Sequence, residues 1–118
     1  MIIYKQFSFD SAHFLPHVPQ GHKCGSLHGH TYSLTVYFEG ELDPKFGWLI
    51  DFNELKRVIS PLIALVDHKL LNDIPGLENP TSEILAEWFW NKIKPELPQL
   101  SKLQINETPS TGVIYTGK

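Results

Sequence analysis

The 118-residue chain holds one cysteine and one arginine (Arg57), and each scarcity closes off a class of protein. A lone cysteine excludes an internal disulfide and fits a reducing compartment. A single arginine and a net charge of −3 leave no basic face for a nucleic-acid backbone. No apolar run approaches the roughly 20 residues of a membrane span, and Met1–Lys5 shows neither the basic nor the long apolar region of a secretory leader. The expected location is cytoplasmic, with neither nucleic acid nor membrane as partner. Internal repeats and low-complexity tracts are missing too. The length fits one domain of about 100–150 residues, expected to span 1–118. With 42% hydrophobic and 19% charged residues, its core should be adequate but small.

Histidine, by contrast, is plentiful: there are six. From His28 the even positions read His28, His30, Tyr32, Leu34, Val36 and Phe38, and the odd ones Gly29, Thr31, Ser33, Thr35, Tyr37 and Glu39. That alternation predicts a half-buried strand, whose side chains two apart leave the same face. His28 and His30 therefore converge. Upstream, Ile3, Phe7 and Phe9 share a parity, which predicts a first strand ending near His13. Between them, Phe14–Leu27 holds two prolines and two glycines and predicts a long loop. If the strands pair antiparallel, His13 lies beside His28 and His30.

Downstream, Trp48–Asp51 leads into a helix capped by Asp51 or Asn53, with Leu55, Val58, Ile59, Leu62, Ile63 and Val66 at helical spacing. Pro61 should kink it, and Asp67-His68 should end it. Leu71–Pro80 is irregular. Thr81 caps a second helix with Ile84, Leu85, Trp88, Phe89 and Ile93 as its stripe. Strands follow at Leu103–Glu107 and Gly112–Thr116. The order ββααββ predicts an α+β fold: a four-stranded antiparallel sheet with both helices on one face. The other face, with Thr31, Ser33, Thr35 and Tyr37, is too polar for a core. Together with open edge strands it points to self-association.

Three imidazoles with an open fourth position form the arrangement of a catalytic zinc site. The plainer reading has the histidines capping polar strand ends, but three of six at one end of one hairpin favours Zn2+ on His13, His28 and His30. Cys24 has three readings: fourth ligand, small buried hydrophobe, or thiol activated beside Lys23. Local sequence does not separate them. In Asp67-His68 a carboxylate stands next to an imidazole it can orient. Glu107 shares the parity of Leu103 and Ile105 and so points to the apolar side, where a carboxylate needs partners. A ligand edge with two N–H donors, such as a pterin's, would satisfy both its oxygens. An anionic substrate would rely on Lys23, His22 and His17 near Cys24.

Together, Phe9-Asp10-Ser-Ala-His13, Cys24-x3-His28-Gly-His30, Gly47-Trp-Leu-Ile-Asp51-Phe52, Asp67-His68, Leu71-Asn72, Asn79-Pro-Thr-Ser-Glu83 and Glu107-Thr108 resemble the 6-pyruvoyl-tetrahydropterin synthase family over nearly the whole chain. The three-residue gap between Cys24 and His28 is similar to that of its carboxy-forming branch, in queuosine biosynthesis. Pyruvoyl-forming members typically leave a gap of five, and a third branch replaces the cysteine with glutamate. The resemblance implies a tunnelling fold in which trimers close their sheets into a barrel and stack as a homohexamer with active sites between subunits. It implies zinc on His13, His28 and His30, Cys24 as general acid/base, Asp67 and His68 as a charge-relay pair, and Glu107 as pterin anchor. Thr81 and Lys23 are further candidate substrate contacts. The implied reaction is that of a lyase cleaving 7,8-dihydroneopterin triphosphate to a 6-carboxy pterin, acetaldehyde and triphosphate, with no redox cofactor.

Overall fold

Alternating side chains dictate the longest elements of the computed structural model, which describes residues 1–118. β1 (Ile2–His13) and β2 (His28–Glu39) pair antiparallel over their whole length, from Ile2 opposite Glu39 to His13 opposite His28. Phe9, Tyr32, Leu34, Val36 and Phe38 point to one face and are buried, while Gln6, Ser8, Asp10 and Thr31 point to the other and are exposed.

The buried face is covered by α1 (Phe52–Val66) and α2 (Ser82–Ile93). Asp51 caps α1, its carboxylate accepting from Asn53 N–H at 2.9 Å. Leu55, Ile59 and Val66 are the fully buried residues of its stripe. Pro61 lies inside α1, where it denies the Arg57 carbonyl an N–H partner, yet the helix continues to Val66. Packing of the stripe on both sides of the proline outweighs the lost hydrogen bond. Thr81 caps α2, as its spacing predicts, through Ile84 N–H at 3.2 Å.

β4 (Leu100–Thr108) and β5 (Thr111–Tyr115) complete the far side, and β4 pairs antiparallel with β2. Gly112 stands where a Cβ would come within 2.5 Å of the Ile105 carbonyl, so the tight β4–β5 hairpin requires glycine there.

The expected count of four antiparallel strands needs correcting. Lys69–Leu70 forms a short strand, β3, which pairs parallel with Ser11–Ala12, giving a five-stranded mixed sheet in the order β3-β1-β2-β4-β5. Two residues carry no periodicity, so nothing in the sequence marks them. β3 exists because the end of α1 is tied to β1. His68 N–H donates to the Asp10 carbonyl at 2.6 Å, and Asp10 N–H donates to Asp67 Oδ1 at 2.9 Å. The long loops also contain single 3-10 turns at Lys23–Gly25 and Leu71–Asp73. No helix is long and apolar enough to cross a membrane. The molecule measures 57 × 24 × 23 Å, one helix layer on one sheet, and the helix-free sheet face has no cover within the protomer.

Candidate metal centre and active site

The β1–β2 register brings His13 and His28 onto one rung and places His30 opposite Ser11, one rung further along the same face. β4 runs beside β2 on the other side and delivers Glu107 to the same point. His13, His28, His30 and Glu107 each present a ligand atom, all four within 4.8 Å of one another.

Hydrogen bonds fix the imidazoles. His13 Nδ1–H donates to the Pro80 carbonyl at 2.9 Å, and His28 Nδ1–H donates to the Ser26 carbonyl at 2.6 Å. A carbonyl can only accept, so both rings carry a proton on Nδ1 and turn Nε2 toward the cluster. Those two Nε2 atoms face each other at 3.0 Å. At that distance the two nitrogens can share either a proton or a metal cation. Nitrogens on one tetrahedral zinc, each about 2.0–2.1 Å from it, would be about 3.3 Å apart.

His30 points to the same conclusion. Its Nε2 is buried and lies 2.7 Å from Glu107 Oε1, but with no hydrogen-bond partner, because the carboxylate is off the direction an N–H would need. The four groups fit a divalent cation: three imidazoles and a carboxylate converge, and an orphaned nitrogen is explained. Burial pushes the His13 pKa down, helped by His28 and His30 and opposed by the Pro80 hydrogen bond and Glu107, which keeps the ring in its ligating, neutral form. The Tyr32 hydroxyl, 3.3 Å from His13 Nδ1, is pushed up by burial and by Glu107, and stays a phenol.

Glu107 has the partner its parity demands. Ser82 Oγ donates to Glu107 Oε2 at 2.7 Å, from a side chain only 7% exposed at the start of α2. Glu107 borders a cleft of about 440 Å³ with His30, Ser33, Asn106 and Thr108, within the usual range for small-molecule sites, about 300–1,000 Å³.

Asp67 and His68 pair directly, Asp67 Oδ1 accepting from His68 Nδ1–H at 3.1 Å. The Asp10 N–H, above all, and the imidazole hold the Asp67 carboxyl below its ordinary range. His68 is the one non-glycine residue in the left-handed region (φ +57°), a conformation histidine tolerates better than most. The pair is separate from the four-residue cluster. His68 stands with Asp10 and Thr31 along a cleft of about 640 Å³ on the helix-free face, where its side chain is 78% exposed.

Cys24 lies in the 3-10 turn, half-buried, and does not join the metal group. Its N–H donates to His22 Nδ1 at 3.0 Å, and the turn leads directly to Ser26, whose carbonyl sets His28. Lys23 borders a separate cleft formed by the 14–26 loop. The Thr81 hydroxyl is engaged as the cap of α2.

With this geometry, known proteins can be compared. The family model for 6-pyruvoyl tetrahydropterin synthase matches residues 2–118. The chain belongs to the 6-pyruvoyl tetrahydropterin synthase family. It is 40% identical to the 6-carboxy-5,6,7,8-tetrahydropterin synthase of Synechocystis, over 97% of this chain and 92% of that protein. It is 39% identical to the dihydroneopterin monophosphate aldolase of Pyrococcus furiosus, over 95% and 93%. The solved 6-pyruvoyl tetrahydropterin synthase of Caenorhabditis elegans superposes with a TM-score of 0.92 at 30% identity, covering all of this chain and 96% of that one.

For this member of the family, sequence reasoning missed the supports of the site. The Pro80 and Ser26 carbonyls are main-chain groups and leave no residue signature. Ser82 was in view within Asn79–Glu83, but only the structure shows its hydroxyl on Glu107.

Proposed function

We propose that this protein is a zinc-dependent 6-carboxy-5,6,7,8-tetrahydropterin synthase, a lyase that converts 7,8-dihydroneopterin triphosphate and one water to the 6-carboxy product, acetaldehyde and triphosphate, in queuosine biosynthesis. The observation that carries it is the convergence of three Nε2 atoms, two of them facing each other at 3.0 Å, beside a loop that bears Cys24. Likeness to the Synechocystis enzyme, and to others of the same name, supports the carboxy-forming branch.

His13, His28 and His30 hold the zinc, which supplies Lewis acidity beside the substrate's side chain. Glu107 accepts the two N–H donors of the pterin edge. Cys24 and His68 exchange protons with the side-chain carbons, and Asp67 keeps the His68 proton on Nδ1 so that Nε2 can act as base. Thr81 and Lys23 complete the substrate contacts. A base 78% exposed in the protomer needs walls to exclude water, and these come from neighbouring subunits in a homohexamer with active sites between its chains.

The second reading, favoured by the likeness to the Pyrococcus furiosus protein, is an aldolase acting on the monophosphate. Product analysis decides. Acetaldehyde and triphosphate from the triphosphate substrate support the synthase. A phosphorylated aldehyde from the monophosphate supports the aldolase, and triphosphate loss without acetaldehyde supports a pyruvoyl-forming enzyme.

A further inference from the structure

We infer that His22 and Asn72 are positioning residues for Cys24, holding the turn that carries the thiol from both sides of its main chain. The inference rests on the reading of Cys24 as a proton-transfer group. Such a group must be held within about 0.5 Å of its working position, yet residues 14–27 lie between β1 and β2 and belong to no strand. Two side chains supply what a ladder would. His22 Nδ1 accepts from Cys24 N–H at 3.0 Å. An amide N–H can only donate, so the His22 ring is neutral and carries its proton on Nε2. His22 is itself tied down: its N–H donates to the Pro19 carbonyl at 3.0 Å, and its carbonyl accepts from Gly25 N–H at 3.0 Å.

On the other side, the Cys24 carbonyl accepts from Leu15 N–H at 2.8 Å, and Leu15 is anchored one residue earlier. Asn72 Oδ1 accepts from Phe14 N–H at 3.1 Å, while its Nδ2 donates to the Phe14 carbonyl at 2.9 Å. β3 pairs Lys69 with Ser11 and Leu70 with Ala12, and the same register sets Asn72 opposite Phe14. The main chain has by then turned away into Leu71–Asp73, and the side-chain amide takes over the pairing. The same segment ends in the Pro80 carbonyl that receives His13 Nδ1–H. One bracket, from Asn72 to Pro80, thus fixes a metal histidine and the mouth of the Cys24 loop together. Both His22 and Asn72 act through main-chain groups, so replacing Cys24 with alanine leaves every one of these bonds in place.

A double-mutant cycle on the zinc-loaded enzyme tests this. His22→Ala and Asn72→Ala should each lower kcat about 10- to 100-fold, the cost of a misplaced catalytic group, with KM little changed. In the Cys24→Ala background the same substitutions should change the residual kcat less than about twofold, because no thiol is left to misplace. His22→Asn, whose Oδ1 can accept the same N–H, should restore most of kcat and guards against an alanine variant that folds poorly. With no substrate present, iodoacetamide should alkylate Cys24 about 3- to 10-fold faster in both alanine variants, the worth of one hydrogen bond to the closed turn. Zinc affinity in chelator competition should stay as in wild type. Equal losses of kcat in the two backgrounds would show a merely structural role and overturn the inference. So would alkylation at the wild-type rate in both variants, and so would loss of zinc, which would place the effect on the metal ligands instead. Normal turnover by Cys24→Ala alone would overturn the acid/base reading itself, a distinguishable failure.

Discussion

Replacing Ser82 with alanine removes one hydroxyl and tests how tightly the Glu107 carboxylate is held. The hydroxyl donates to Glu107 Oε2 at 2.7 Å and its side chain is 7% exposed, so water cannot freely replace it. Hydrogen bonds to charged groups contribute about 1.5–3 kcal/mol, which at about 1.4 kcal/mol per decade is about 10- to 150-fold. Some relaxation of Glu107, itself partly exposed, places the expectation at the lower end, about tenfold in pterin KM. The same hydrogen bond exists in the free protein, so the melting temperature should also fall by several degrees, although alanine is a good helix former and Thr81 remains to cap α2. Zinc content should stay full, because Ser82 touches no imidazole. Steady-state kinetics with metal analysis and a melting curve on Ser82→Ala and Ser82→Thr checks this. Threonine keeps the hydroxyl and should restore KM. A Ser82→Ala enzyme with KM within twofold of wild type, or one that loses its metal, would refute the positioning role.

Other outcomes follow from the same geometry. His28→Ala or His30→Ala should lose zinc and turnover together, and elemental analysis showing full zinc in either would remove that histidine from the site. Cys24→Ala should keep zinc and pterin affinity while turnover falls about 10²–10⁴-fold, the usual worth of a general acid or base; normal turnover would reduce Cys24 to packing. In the metal-free protein, the lowered His13 pKa means that the unfolded chain binds the more protons just below about pH 6.5. The His13 contribution to stability is therefore complete above that pH and is lost as pH falls through the folded value. Denaturation of wild type and His13→Gln at pH 7.5 and 5.5 should show a larger loss on acidification for wild type. Light scattering should report a hexamer, and an active monomer at assay concentration would contradict the shared active site.

Most of the fold was legible because its long elements follow simple periods. Twelve residues of alternation in β2 and the stripe of Leu55, Ile59 and Val66 in α1 left little freedom. The pairing of His13 with His28 followed from the strand ends, and the parity of Glu107 from Leu103 and Ile105. What was not legible was either too short or carried by the main chain. β3 is two residues long and is made by the hydrogen bonds of Asp10 with Asp67 and His68. Pro61 reads locally as a kink inside one helix, and the packed stripe carries that helix on to Val66. Glu107 read as needing a partner, but its place among the imidazoles depends on the β2–β4 alignment, with Ser33 opposite Asn106, which no single strand's pattern reveals.

The hairpin register has a consequence for how the chain reaches its native state. A slip of one residue between β1 and β2 would turn every side chain of one strand to the wrong face. A slip of two would keep the faces but move His28 off the rung of His13. In both misalignments the ion loses part of its ligand set. Metal at 100 times its dissociation constant favours the correct register by about 2.7 kcal/mol over a form that cannot bind it. An ion on the proposed site would thus act as a proofreader of strand alignment, and refolding in a chelator should leave more misregistered, aggregation-prone chains than refolding in zinc.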